Sequence, residues 1–122
     1  MNKVQIIDNL NSSNLDLNEI IILSGASLVL QGIIKETNDI DLSCTKEYYD
    51  KLPWPIKEGA FNVPIKYNNM IEISNNLYYP NDTVIIDSYK CLSLEKCFEI
   101  KLRLNREKDK ETINILKELI KK

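Results

Sequence analysis

Glu19-Ile20-Ile21-Ile22-Leu23-Ser24-Gly25-Ala26 and, after a polar turn at 35–38, Asp39-Ile40-Asp41-Leu42-Ser43-Cys44 are the stretches on which the fold turns. The first is a continuous apolar run rich in β-branched residues, the mark of a strand buried on both faces, and Ser24-Gly25 ends it. Ala26 to Ile33 carries good helix formers, with Gly32 near the end. The second stretch alternates with period two, as a half-buried strand does. Strand, glycine, helix, strand is the grammar of a layered α/β domain.

Working outward, Val4, Ile7 and Leu10 predict a short amphipathic helix over Lys3 to Leu10. Thr45 caps a helix reaching Leu52, stopped by Pro53 and Pro55. Phe61 to Tyr67 and Met70 to Ser74 flank Asn68-Asn69 and predict a hairpin with a two-residue turn, its first strand an edge because of Pro64. Thr83 to Ile86 is a further short strand. Ser93 opens a helix to about Arg103, with Leu94, Phe98, Lys101 and Leu102 on one face, and Lys110 to Lys122 carries a stripe of Ile113, Leu116, Leu119 and Ile120. The expectation is one domain over residues 1–122, a small mixed β-sheet flanked by helices.

Composition narrows the chemistry. The chain has 122 residues, 43% hydrophobic and 28% charged, with a net charge of −2. A chain of this length buries about two-thirds of its unfolded surface. It has no basic excess for gripping nucleic-acid backbones, and no apolar run near the ~18 residues of a membrane span. It is expected to be soluble and cytoplasmic, with no membrane partner. The absence of histidine excludes Ser-His-Asp triads and His-bearing zinc sites. Cys44, Cys91 and Cys97 show no CxxC spacing and read as buried free thiols. Carboxylate, lysine, arginine and hydroxyl chemistry remains, which suits oxygen-ligated Mg²⁺ or Mn²⁺.

Asp39 and Asp41 carry the strongest chemical signal. Residues two apart on a strand share a face, which sets these carboxylates side by side, and a divalent cation is the usual remedy for their repulsion. Gly25, between strand and helix, lets a phosphate approach the backbone without a Cβ in the way. Lys101 stands on the apolar side of its helix, an odd place for a solvated lysine unless it snorkels to the surface. Arg106, Lys108 and Asp109 read as a surface ion-pair turn. Tyr48, Tyr49 and Trp54 read as packing or as a stacking platform.

Ser24-Gly25-Ala26-Ser27-Leu28-Val29-Leu30-Gln31-Gly32 followed by Thr37-Asn38-Asp39-Ile40-Asp41-Leu42 resembles the nucleotidyltransferases of the DNA polymerase β-like superfamily, in the minimal and AbiEii-type toxin branch. Ser93-Leu94-Glu95 and Lys101-Leu102-Arg103-Leu104-Asn105-Arg106-Glu107-Lys108-Asp109 extend the resemblance. It implies the polymerase β-like nucleotidyltransferase fold and transfer of a nucleotidyl group from a nucleoside triphosphate to an RNA 3′ end or a protein side chain, of toxin–antitoxin or phage-defence type. By the same resemblance Asp39 and Asp41 bind Mg²⁺ or Mn²⁺, and Glu72 or Asp87 supplies the third carboxylate, Glu72 being preferred as the lone acid of an apolar strand. Gly25, Ser27, Lys101 and Arg106 are the implied nucleotide-binding residues. Ala26 stands where the family carries serine or threonine, and Ser27 follows it about 100° round the helix. The implied partners are the nucleoside triphosphate, tRNA or a protein acceptor, and a cognate partner protein. A binding module that kept the fold and lost the reaction is the alternative.

Overall fold

In the computed structural model, which describes residues 1–52, 65–74 and 78–120, the chain forms a mixed six-stranded sheet with helices on both faces. The elements run α1 (Lys3–Asn11), β1 (Ile20–Ile22), α2 (Ser24–Leu30), β2 (Ile40–Cys44), α3 (Lys46–Lys51), β3 (Ile65–Lys66), β4 (Ile71–Ser74), β5 (Thr83–Ile86), β6 (Tyr89–Leu92), α4 (Leu94–Leu104), a 3₁₀ turn (Glu107–Asp109) and α5 (Lys110–Ile120). Strand order is β3-β4-β2-β1-β6-β5. The contacts β1–β6 and β2–β4 are parallel, and the rest are antiparallel. Among the described residues, no helix is long and apolar enough to cross a membrane.

Strand alternation divides the core in two. Ile20, Ile22, Ile40, Leu42, Ile71 and Ile73 pack with Ile6 and Leu10 of α1. Ile21, Leu23 and Leu92 face the other way, onto Cys97 of α4 and Leu116 of α5. The mixed sheet with flanking helices is therefore as the sequence predicts. Every residue of β1 is buried, because both faces and both edges of that strand are covered.

Several local expectations need correction. Helix α1 turns Leu10 and, in part, Ile7 of the predicted stripe onto the core, but Ile6 is buried there as well and Val4 is 66% exposed. Helix α2 begins at Ser24 rather than Ala26 and closes with Gly32 at φ 79. Gly32 donates to the Val29 carbonyl and Ile33 to that of Leu28, a Schellman closure that only a residue tolerant of positive φ makes without strain.

The hairpin loop holds Asn68, Asn69 and Met70, not two residues. The Asn68 side chain accepts from the backbone N–H groups of both Met70 and Ile71, an Asx turn that needs no positive φ. β3 does lie at a sheet edge; Phe61 to Pro64 and Trp54 lie outside the described residues.

Strand β6 was not expected at all. Asp87 and Ser88, at φ 50 and 74, form the tight turn joining it to β5, with Ile86 opposite Tyr89. In α4 the inward face carries buried Cys97 and Lys101 and partly buried Leu94 and Phe98, spaced as helix geometry requires, while Leu102 is 50% exposed. On α5, Leu116 is buried but Leu119 is 42% exposed.

Candidate functional site

The parallel register of β2 and β4 sets Asp41 directly opposite Glu72 and Ser43 opposite Ser74. All four belong to the sheet face that α4 only partly covers. Asp41, Glu72 and Ser74 line a cavity of about 280 Å³ whose other polar groups are Ser24, Lys101 and Arg106. Acidic and basic walls thus face one space, the acids from the sheet and the bases from α4 and the turn after it.

The acidic wall is under electrostatic tension. Burial raises the Asp41 carboxyl above its ordinary value, and the charges of Glu72 and Asp39 raise it further; Arg106 and Lys108 offset part of this. Asp39 precedes β2 and is exposed, near enough for its charge to be felt at Asp41. No hydrogen bond or ion pair within the described residues engages the side chains of Asp41 or Glu72. Asp87, the competing third acid, lies at the β5–β6 turn in an exposed ion pair with Lys3 at 2.9 Å. The structure sets Asp41 beside Glu72, with Asp39 outside the cavity lining yet near enough for its charge to act on Asp41, and leaves Asp87 elsewhere.

The basic wall is built differently from the expected surface turn. Lys101 is 6% exposed, and its Nζ donates to Oδ1 of the equally buried Asp109 at 3.0 Å. Arg106 Nε donates to the second oxygen, Oδ2, at 2.6 Å. Burial pushes the Asp109 carboxyl up, but the hydrogen bonds and charges of Lys101 and Arg106 outweigh it, and the net shift is downward. One carboxylate therefore fixes two cations. Lys101 occupies a core position of its helix and does not snorkel.

Gly25 does not itself line the cavity. Its neighbour Ser24 does, in the left-handed region at φ 48. A Cβ on Gly25 would lie 2.5 Å from Thr37 Oγ1, so the glycine admits the segment that leads into Asp39. Ser27 is turned away: it is fully buried, donates to the Leu92 carbonyl at 2.8 Å and accepts from Gln31 Nε2. Its hydroxyl fastens α2 to β6, which the helical offset from Ala26 explains. Ser74 and Asp109 are the residues that sequence reading passed over as site components. Ser74 could have been found from its spacing, two residues beyond Glu72 on the same strand face.

All three thiols are buried, and burial pushes Cys44 and Cys97 up to about 11 and Cys91 to about 12, so none is a nucleophile near neutrality. Tyr48 and Tyr49 pack against the core from α3, with Tyr48 Oη accepting from the Asp16 N–H at 2.7 Å. Among the described residues no group of three acids or cysteines stands assembled to hold a metal ion. The donors that fit a hard cation are Asp41 and Glu72, with Asp39 beside them. Mg²⁺ is commonly held by one or two carboxylates together with substrate phosphates, so this set fits its chemistry. Compared with protein-family models, curated proteins and solved structures, the chain matches none of them.

Proposed function

We propose that the chain is a metal-dependent nucleotidyltransferase of the polymerase β-like kind, in its minimal or AbiEii-type toxin branch. The donor is a nucleoside triphosphate, and the acceptor is an RNA 3′ end, tRNA included, or a protein side chain. The setting is a toxin–antitoxin or phage-defence pair with a cognate protein. The observation that carries this reading is the cross-strand pair Asp41–Glu72 facing Lys101 and Arg106 across one cavity.

Asp41 and Glu72, with Asp39, would hold Mg²⁺ or Mn²⁺, which when bound neutralises triphosphate charge and polarises the α-phosphorus. The rest falls to the side chains. Lys101 and Arg106, held by Asp109, face the triphosphate and stabilise charge on the departing pyrophosphate. Asp109 is a positioning residue here: its two oxygens hold the two cations in place. Glu72 is the base or a shared ligand. The acceptor oxygen bonds to the α-phosphorus, the α–β anhydride breaks, and the acceptor proton passes to a carboxylate.

A second reading, a binding module that lost the reaction, is favoured by one observation: Ala26 is fully buried and Ser27 is committed to Leu92, so α2 offers no hydroxyl from either position. Labelled nucleoside triphosphates incubated with total tRNA and cell lysate separate the two. Transfer by the wild type that falls at least about 100-fold in Asp41→Ala supports the enzyme, on the scale typical of removing a group that acts in the transition state. Binding of Mg²⁺–nucleotide with no transfer above the Asp41→Ala background, over all four nucleotides, supports the binding module.

A further inference from the structure

Ser74 poses a problem that the transfer chemistry does not solve. It is 3% exposed, it lines the cavity, and among the described residues its Oγ is a buried polar atom with no hydrogen-bond partner. Native domains contain few such atoms, because each carries an uncompensated desolvation cost. The same cavity is walled by Leu23, Leu92 and Ile100. An apolar wall, a buried hydroxyl at Ser74 and a charged rim therefore share a single space.

We infer that Ser74 is the recognition group for the heteroaromatic base of a nucleotide, its Oγ hydrogen-bonding the polar edge of a ring held against Leu23, Leu92 and Ile100. The inference rests on the nucleotide-transfer reading and names the part of the substrate this wall takes. An acyl chain would cover the leucines but leave the hydroxyl unpaired. A sugar phosphate would pair the hydroxyl and leave the leucines bare. A flat ring with apolar faces and a hydrogen-bonding edge satisfies both, and its sugar and phosphates extend toward the charged groups. At about 280 Å³ the cavity falls just below the ~300–1,000 Å³ usual for small-molecule sites, a size on the scale of a base rather than an oligonucleotide.

Because the hydroxyl is costly when empty and useful when filled, Ser74→Ala moves stability and affinity in opposite directions. The ligand-free variant melts higher than the wild type, while it binds its preferred base less well. The full chain is titrated with each of the four ribonucleosides, which carry no phosphate, and separately with inorganic tripolyphosphate plus Mg²⁺. Methyl resonances of Leu23, Leu92 and Ile100 are followed by NMR.

At least one nucleoside is expected to shift those methyls in the wild type. Ser74→Ala weakens that nucleoside about 3- to 10-fold, the span of one hydrogen bond, and leaves tripolyphosphate unchanged. Nucleosides that leave the three methyls unmoved overturn the inference. So do four affinities that are the same in Ser74→Ala, the result expected if the hydroxyl makes no contact with the base. Nucleoside binding at these methyls without tripolyphosphate binding supports the base site while counting against the transfer reading, so the two fail separately.

Discussion

Asp41 and Asp109 lie on opposite walls of the cavity and are displaced in opposite directions from the same ordinary value. Asp41 is raised, so the folded state bears a penalty for its ionised form. That penalty is fully present above the folded value and is relieved as pH falls through it toward 3.8. Asp109 is lowered, so its contribution to stability is present above 3.8 and is lost as pH falls through the folded value. Asp41→Asn is therefore expected to melt higher than the wild type at about pH 7, with the gain vanishing by about pH 3.5. Thermal melts of the two proteins across that range check it, and an Asp41→Asn that melts lower near neutrality would refute the assigned strain. The same penalty is what a divalent cation would relieve, so added Mg²⁺ should narrow the gap.

Among elements, the β1–α2 junction makes the sharpest demand on residue type. Gly25 lies under Thr37, whose N–H donates to the Met1 carbonyl while its own carbonyl accepts from the chain's amino terminus. Gly25→Ala must push the threonine hydroxyl aside, an overpacking cost of about 1–3 kcal/mol. Thr37→Ala removes the clashing atom, and the double variant is expected to recover most of that loss; a double-mutant cycle in urea measures the coupling. Strict additivity would show that some other contact excludes the side chain. The sequence made Gly25 visible but supplied a different reason for it, phosphate access rather than the passage of Thr37.

Legibility follows the same division elsewhere. The runs β1, β2 and β4 were readable because long β-branched stretches and period-two alternation are local signals, and Thr45 and Ser93 were readable as caps. β6 was not, because Tyr89-Lys90-Cys91-Leu92 is short and its turn uses Asp-Ser where Asn-Gly is the strong signal. Asp39 and Asp41 announced themselves by spacing. Their pairing with Glu72, and the hold of Asp109 on Lys101 and Arg106, depend on a parallel register and a helix packing that only tertiary structure supplies.

Taken whole, the sheet places its earliest strand at the centre. β1 joins β2 on one side, close in sequence, and β6 on the other, where Ile22 meets Cys91. Loop closure over that span comes late, and non-local pairing of this kind slows folding. The acidic wall, from β2 and β4, can form before the basic wall of α4 has been synthesised. During translation, then, the strand Ile20–Ile22 waits with one backbone edge open and only apolar side chains beside it, a template for pairing between nascent chains. Chains released at Ser88 are expected to associate and to be cut readily by protease, whereas chains extended through α5 resist; pulse proteolysis of stalled chains tests this. A protein born in this order is most vulnerable just before its last third emerges, and a chaperone that shields β1 over that interval would raise its yield.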